Sequence, residues 1–198
     1  MRGFILKEFQ QIKRGKKDTI TIIEPDVVQK IAKIKLFQQA EMDSLLHKLH
    51  QDLLIMSMRK NRSREVGFFW NLNELDKVYR LSGDETCISL ASNVEIRNWI
   101  KTAPMNSILV MHNHPRNGLF SGADLKSFAT YNSIYAMTAV CNDGTIYMMK
   151  KTEKFDPFAL MMYYSIGIAK GKEYSGIKYV AKNAHKIGIV YRCSVRRR

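Results

Sequence analysis

The residues best suited to chemistry are two histidines one position apart and an aspartate ten residues further on. They are His112 and His114 in Met111-His112-Asn113-His114-Pro115, and Asp124 in Ser121-Gly122-Ala123-Asp124. Side chains at i and i+2 of a strand point to the same side, so both imidazoles can reach one point. An aspartate in the first turn of the following helix is returned toward that point by the connecting loop. Two neutral imidazoles and one carboxylate form the protein ligand set of a catalytic zinc, whose fourth position is left to water. The three cysteines, Cys87, Cys141 and Cys193, form no CxxC pair, so a closed thiolate site is not encoded. A zinc hydrolase also needs a proton acceptor beside the water. Glu65 is the candidate, because it opens Glu65-Val66-Gly67-Phe68-Phe69-Trp70, a strand-type apolar run in which a carboxylate carries a desolvation cost.

Each feature also has a plainer reading. Histidines at this spacing occur on strands as surface or satisfied core residues. Ser121 to Asp124 fits the S-x-x-D capping box of a helix start, and Glu65 could pair with Arg62 or Arg64. What joins them is that all of them, with Pro115 fixing the exit from the strand, fall in one order within one segment.

The elements that would position these residues follow from the local pattern. Short β segments at 65–71, 77–81 and 86–90 are separated by turns at 73–76 and 83–84. Ser92 with Glu95 caps a helix over 93–102, which ends before Pro104. A strand at 107–112, a capped helix opened by Ser121 and Asp124, and a hairpin of 137–140 with 145–149 around Asn142-Asp143-Gly144 complete the order β-β-β-α-β-α-β-β. This is an α/β (α+β) arrangement, a mixed sheet with helices packed on it. Upstream, residues 20–23 read as a short strand, and Glu24-Pro25-Asp26 opens a helical pattern. That pattern runs through apolar residues 27, 31, 34, 45, 49, 53 and 56, broken near Gln38 and Glu41, and makes one long helix or two. The polar, basic stretch 58–64 marks a boundary. Downstream, Asp156-Pro157 precedes a mostly apolar helix, followed by a basic amphipathic stretch over 177–186. The division expected is a basic N-terminal extension over 1–62, a central domain over 63–150 and a basic helical C-terminal extension over 151–198.

His112-Asn113-His114-Pro115, Ser121, Asp124 and the upstream Glu65 resemble the JAB/MPN (JAMM) metalloprotease signature, and the Asn between the histidines is similar to the RadC-like branch. The resemblance covers roughly residues 63 to 150 and implies that family's cytidine-deaminase-like core. It implies that His112, His114 and Asp124 bind Zn2+, that Glu65 is the general acid/base, and that Ser121 helps to stabilise an oxyanion. It further implies a protein or peptide substrate, cleaved at a peptide or isopeptide bond, such as the C-terminal tail of a ubiquitin-like or small carrier protein. One departure stands out: six residues, 115–120, separate His114 from Ser121, one fewer than the usual pattern.

Composition bounds the rest. The chain has 198 residues, is 45% hydrophobic, and carries 32 Lys plus Arg against 18 Asp plus Glu, for a net charge of +14. That charge invites a nucleic-acid reading, but its distribution is uneven. Residues 1–62 hold 13 basic and 7 acidic side chains, residues 63–150 hold 8 of each, and residues 151–198 hold 11 and 3. The segment with the chemistry is neutral, so a polyanion would meet the flanks. The competing expectation is therefore an accessory protein gripping DNA or RNA through Lys13 to Lys17, the 178–186 stretch and the terminal arginines. A third is an N-terminal helix that docks a partner or a second copy. No apolar run approaches the roughly 20 residues of a membrane span. Phe4 to Leu6 is too short for a signal core, and the unpaired cysteines suit a reducing compartment, so a cytoplasmic protein without a membrane partner is expected. Asp43, His47 and His50 share a helix face and form a rival ligand set, though a solvated edge beside a Leu46, Leu49 and Leu53 core explains them more simply.

Overall fold

A computed structural model describes residues 20–84, 88 and 93–194. Six strands form one mixed sheet: β1 (Val66–Asn71), β2 (Val78–Ser82), β3 (Ile108–His114), β4 (Ile134–Cys141), β5 (Ile146–Lys151) and β6 (Ile189–Ser194). Their spatial order is β2-β1-β3-β4-β5-β6, with β3 and β4 parallel and every other pair antiparallel. The parallel pair is joined through helix α4 (Gly122–Thr130), the crossover that a parallel connection requires. The other helices are α1 (Pro25–Lys30), α2 (Ala40–Lys60), α3 (Val94–Thr102), α5 (Pro157–Ala169) and α6 (Glu173–Asn183).

Both faces of the sheet are covered, which is why β1 is buried along its whole length. On one face, Leu46, Leu49, Leu53 and Leu54 of α2 pack with Val66, Phe68, Trp70, Leu109 and Met111. On the other, Phe69, Val110, Met137 and Ala139 pack beneath residues of α3 to α6, among them Ile100, Phe128, Leu160 and Val180. Alternate residues of β1 and β3 thus serve two different cores.

Several elements differ from the sequence reading for physical reasons. Residues 20–23 are not a strand; Thr21 makes a single backbone bond, donating its N–H to Pro115 O at 2.8 Å. The N-terminal pattern resolves into two helices. The polar interruption is a real break, with Gln38 left-handed at φ 61° and the Asp43 carboxylate accepting the N–H groups of Leu36 and Phe37, each at 2.9 Å. The cap of α3 is Asn93, whose side chain accepts the N–H of Ile96, one residue later than the Ser92 expectation; Ser92 lies outside the described residues. Most of the 86–90 segment also lies outside them. The C-terminal part is not helical throughout, because residues 189–194 form edge strand β6 beside β5. Among the described residues, no helix is long and apolar enough to cross a membrane.

Candidate metal centre

The site is built where the C-terminal end of β3 meets the start of α4. In the sheet, Gly67 of β1 and Ala139 of β4 flank His112, so the imidazole has small neighbours on both sides. His112 and His114 emerge on the same face, and the rings lie 4.7 Å apart between centroids. Phe120 packs against both, at 6.1 and 6.4 Å. Asp124 arrives by the expected capping box. Its Oδ2 accepts the Ser121 N–H at 2.7 Å and the Ser121 hydroxyl at 2.8 Å, while Ser121 Oγ accepts the Asp124 N–H at 3.1 Å. A helix cap of this kind is worth about 1 kcal/mol, so the contacts that start α4 also fix the carboxylate.

Nitrogen and oxygen atoms of His112, His114 and Asp124 all lie within 4.8 Å of one another, and this group, with His112 buried and the other two half-buried, could bind a metal ion. The Nε2 atoms of the two histidines are 2.8 Å apart, His112 Nε2 is 3.5 Å from Asp124 Oδ1, and His114 Nε2 is 3.8 Å from Asp124 Oδ2. A tetrahedral ion with nitrogen ligands at about 2.0–2.1 Å sets its donors roughly 3.3 Å apart, so half an ångström of opening between the imidazoles suffices. The His114 tautomer suits that role. His114 Nδ1 meets Gly118 O at 2.8 Å, and since a carbonyl only accepts, the proton is on Nδ1 and Nε2 presents its lone pair. The proton between the two rings then belongs to His112 Nε2.

Electrostatics agree with this placement. Burial lowers the His112 pKa, but the Asp124 carboxylate beside it and Glu65 more than offset that, and the net shift is upward. Burial acts on Asp124 in the opposite sense, and the two imidazoles overcome it, holding the carboxyl well below its ordinary range.

Glu65 lines the same cleft, a cavity of about 450 Å³ whose walls also include Phe69, Val110, Ser121, Asp124 and Glu173. It is 8% exposed, and burial raises its pKa against the opposing pull of His112 and His114. The chain reaches Glu65 through Arg62 and Ser63, both left-handed at φ 53° and 61°, an arrangement that costs about 1–2 kcal/mol per residue. Asn61 Nδ2 donates to Glu65 O at 2.8 Å and Ser57 Oγ to Arg64 O at 2.6 Å, which secures that turn from the end of α2.

The sequence-derived residues Glu65, His112, His114, Ser121 and Asp124 are therefore neighbours around one cleft. The rival set is not a ligand group. Asp43 caps the chain break, and His50 Nε2 meets Thr138 Oγ1 at 2.9 Å beneath the opposite face of the sheet. Both are buried rather than on a solvated edge, and burial and His47 lower the His50 pKa to about 3. Sequence reasoning missed Gly118, whose carbonyl acts through no side-chain pattern, and the anchoring by the amides of Asn113 and Asn142, which it named only for the motif and for the hairpin turn. A fully buried asparagine in an apolar strand does announce that it needs partners. In comparisons with protein-family models, curated proteins and solved structures, nothing matches this chain.

Proposed function

We propose that this protein is a zinc-dependent hydrolase of the JAB/MPN (JAMM) type that cleaves a peptide or isopeptide bond, with the tail of a ubiquitin-like or small carrier protein as the substrate class. The observation that carries the reading is the convergence of His112 Nε2, His114 Nε2 and the Asp124 carboxylate within 4.8 Å, in a cleft that Glu65 also lines. Zinc in such a ligand set polarises a carbonyl and makes water a nucleophile near neutral pH. Glu65 takes one proton from the attacking water at a carboxylate oxygen and delivers it to the leaving nitrogen as the C–N bond breaks. Its raised pKa suits a group that must hold that proton between the two transfers. Ser121 supports the reaction through Asp124: its single hydroxyl proton is committed to Oδ2, so in this conformation it steadies a ligand rather than an oxyanion.

The test is metal content followed by turnover. Protein reconstituted with zinc should hold one equivalent and cleave a carrier protein extended by a C-terminal peptide. Glu65→Gln should keep the metal and lose about 10²–10⁴-fold in kcat, the usual contribution of a general acid/base. Asp124→Ala should lose both. Absence of stoichiometric metal after reconstitution rules the reading out.

A further inference from the structure

We infer that Asn113, the residue between the two histidines, is a positioning residue for Glu65; the inference rests on the hydrolase reading for its catalytic consequence but not for its geometry. Alternation along β3 sends His112 and His114 to the cleft and Asn113 to the opposite face, where it is fully buried. There it holds the chain on both sides of Glu65. Asn113 Oδ1 accepts the N–H of Val66 at 2.7 Å, and Nδ2 donates to Arg64 O at 3.2 Å. The same amide reaches Ser57 Oγ at 3.1 Å and Asn142 Oδ1 at 2.8 Å. Asn142 Nδ2 in turn donates to Ser63 O at 2.8 Å and Thr21 O at 2.7 Å.

Residues 63, 64 and 66 are thus anchored, directly or through one further amide, to the strand that carries both imidazoles. Glu65 itself precedes the β1 ladder, whose pairing with β3 begins at Gly67 opposite His112. The backbone of Glu65 pairs on the other side, with Asp84 O and the Gly83 N–H, and no β1–β3 ladder bond reaches Val66 or Glu65, so the Asn113 side chain is the direct link from β3 to this end of β1. An aliphatic residue at 113 would fill the space and leave the Val66 N–H and the Arg64 carbonyl without this partner. A serine would be too short to span the two strands with both a donor and an acceptor. The amide is the side chain that offers one acceptor and two donors at that reach. Since misplacement of a reacting group by about 1 Å can cost on the order of 10²-fold in rate, the grip has a catalytic consequence.

The experiment compares Asn113→Leu with Leu53→Ala, a variant weakened in the α2 core on the same face of the sheet but with every hydrogen bond of the Asn113 amide retained, in the full chain. Two readouts need no turnover: amide hydrogen exchange at Val66, and the ¹³C chemical shift of the Glu65 carboxylate. Expected for Asn113→Leu are Val66 exchange at least 10-fold faster relative to Val110, a displaced Glu65 resonance, and unchanged zinc stoichiometry. On a cleaved substrate, kcat should drop about 10–100-fold with KM within twofold. Leu53→Ala should change neither the Glu65 resonance nor the ratio of Val66 to Val110 exchange. If Asn113→Leu leaves both spectroscopic readouts as in the parent, or if Leu53→Ala reproduces its changes, the inference is overturned. If both readouts move while the zinc-loaded parent cleaves nothing, Asn113 still positions Glu65 and it is the hydrolase reading that falls.

Discussion

His114 Nδ1 lies 2.8 Å from the carbonyl oxygen of Gly118, and this contact decides which nitrogen of the ring faces His112 and Asp124. The loop that supplies it is short and tied at several points. Asn117 donates its N–H to His114 O at 3.2 Å and its side-chain amide to Thr21 Oγ1 at 2.9 Å, while its Oδ1 accepts the Asp143 N–H at 3.0 Å. Inserting one glycine after Gly118 would move the carbonyl without touching a ligand. Loss of such an outer partner weakens metal binding about 10–100-fold. Competition with a chromophoric chelator measures this, and parental affinity in the insertion variant would show that the loop does not set the tautomer.

Ser121 has two jobs in one contact set, starting α4 and holding Asp124 Oδ2. Ser121→Ala keeps the backbone N–H bond to Oδ2 and loses the hydroxyl. Stability should fall by about 1 kcal/mol, the ordinary worth of a cap, and zinc affinity by about 10-fold or more. Ser121→Thr, which retains the hydroxyl, should restore both. Denaturant titration and chelator competition separate the two effects, and a stability loss with unaltered affinity would confine Ser121 to capping.

The ligand set was legible because its geometry is local. The i, i+2 alternation of a strand and the first turn of a helix each place a side chain relative to neighbours within a few residues, and the capping box is itself a local pattern. Glu65 was legible from its cost, a carboxylate in an apolar strand. The grip of Asn113 was not, because its partner Val66 is 47 residues away and nothing in a strand's periodicity says which strand lies beside it. Strand β6 was hidden in a basic segment: Ile189, Val190 and Tyr191 after left-handed Gly188 have the right composition, but the charge beside them reads as a solvated tail. The cap of α3 shifted by one residue because Ser92 and Asn93 are equally good caps in sequence and only the path of the chain chooses between them.

Metal binding should be strongly acid-sensitive. The His112 pKa is shifted upward from the ordinary imidazole value of 6.5, so the ring keeps its second, charging proton at pH values where a free histidine is already neutral. A metal must displace that proton. Below the raised pKa, each unit of pH should therefore cost about tenfold in apparent affinity, with the decline setting in above pH 6.5. Chelator competition across pH 5.5–8.5 checks this. An affinity flat down to pH 6 would mean that His112 does not carry the proton.

Stability has a second, separate pH dependence in His50. Burial and His47 lower its pKa from 6.5 to about 3 in the folded chain. Between those values the unfolded chain binds a proton that the folded chain refuses, so stability is fully present above pH 6.5 and is lost as pH falls toward 3. Each unit of difference corresponds to about 1.4 kcal/mol, which makes the loss several kcal/mol by pH 4. His50→Leu removes the titration but leaves Thr138 Oγ1 without its partner, at a cost of about 1–3 kcal/mol at pH 7. The variant should be the less stable protein at pH 7 and show a flatter decline toward pH 4. Parallel curves from denaturant midpoints would assign the acid sensitivity elsewhere.

The segment that carries the chemistry, residues 63–150, should not fold by itself. One face of its sheet presents Phe68, Trp70, Leu109, Met111, Val140 and Met148, and what covers them is α2, through Leu46, Leu53 and Leu54, each fully buried. Deleting even one of these contacts is costly: Leu53→Ala should destabilise the full chain by about 2–5 kcal/mol, the range for truncating a buried leucine. Removing α2 altogether exposes the whole face, and removing β6 opens the edge of β5 to pairing with other chains. The turn leading to Glu65 would go as well, since Ser57 and Asn61 of the lost segment are the residues that hold it. Residues 63–150 alone should accordingly aggregate or give the collapsed amide spectrum of an unfolded chain, whereas residues 20–194 should keep the native near-ultraviolet signal of Trp70. A dispersed spectrum from the short fragment, with His112 and His114 still binding zinc, would show that α2 is an appendage and that the site is sustained by the sheet and α4 alone.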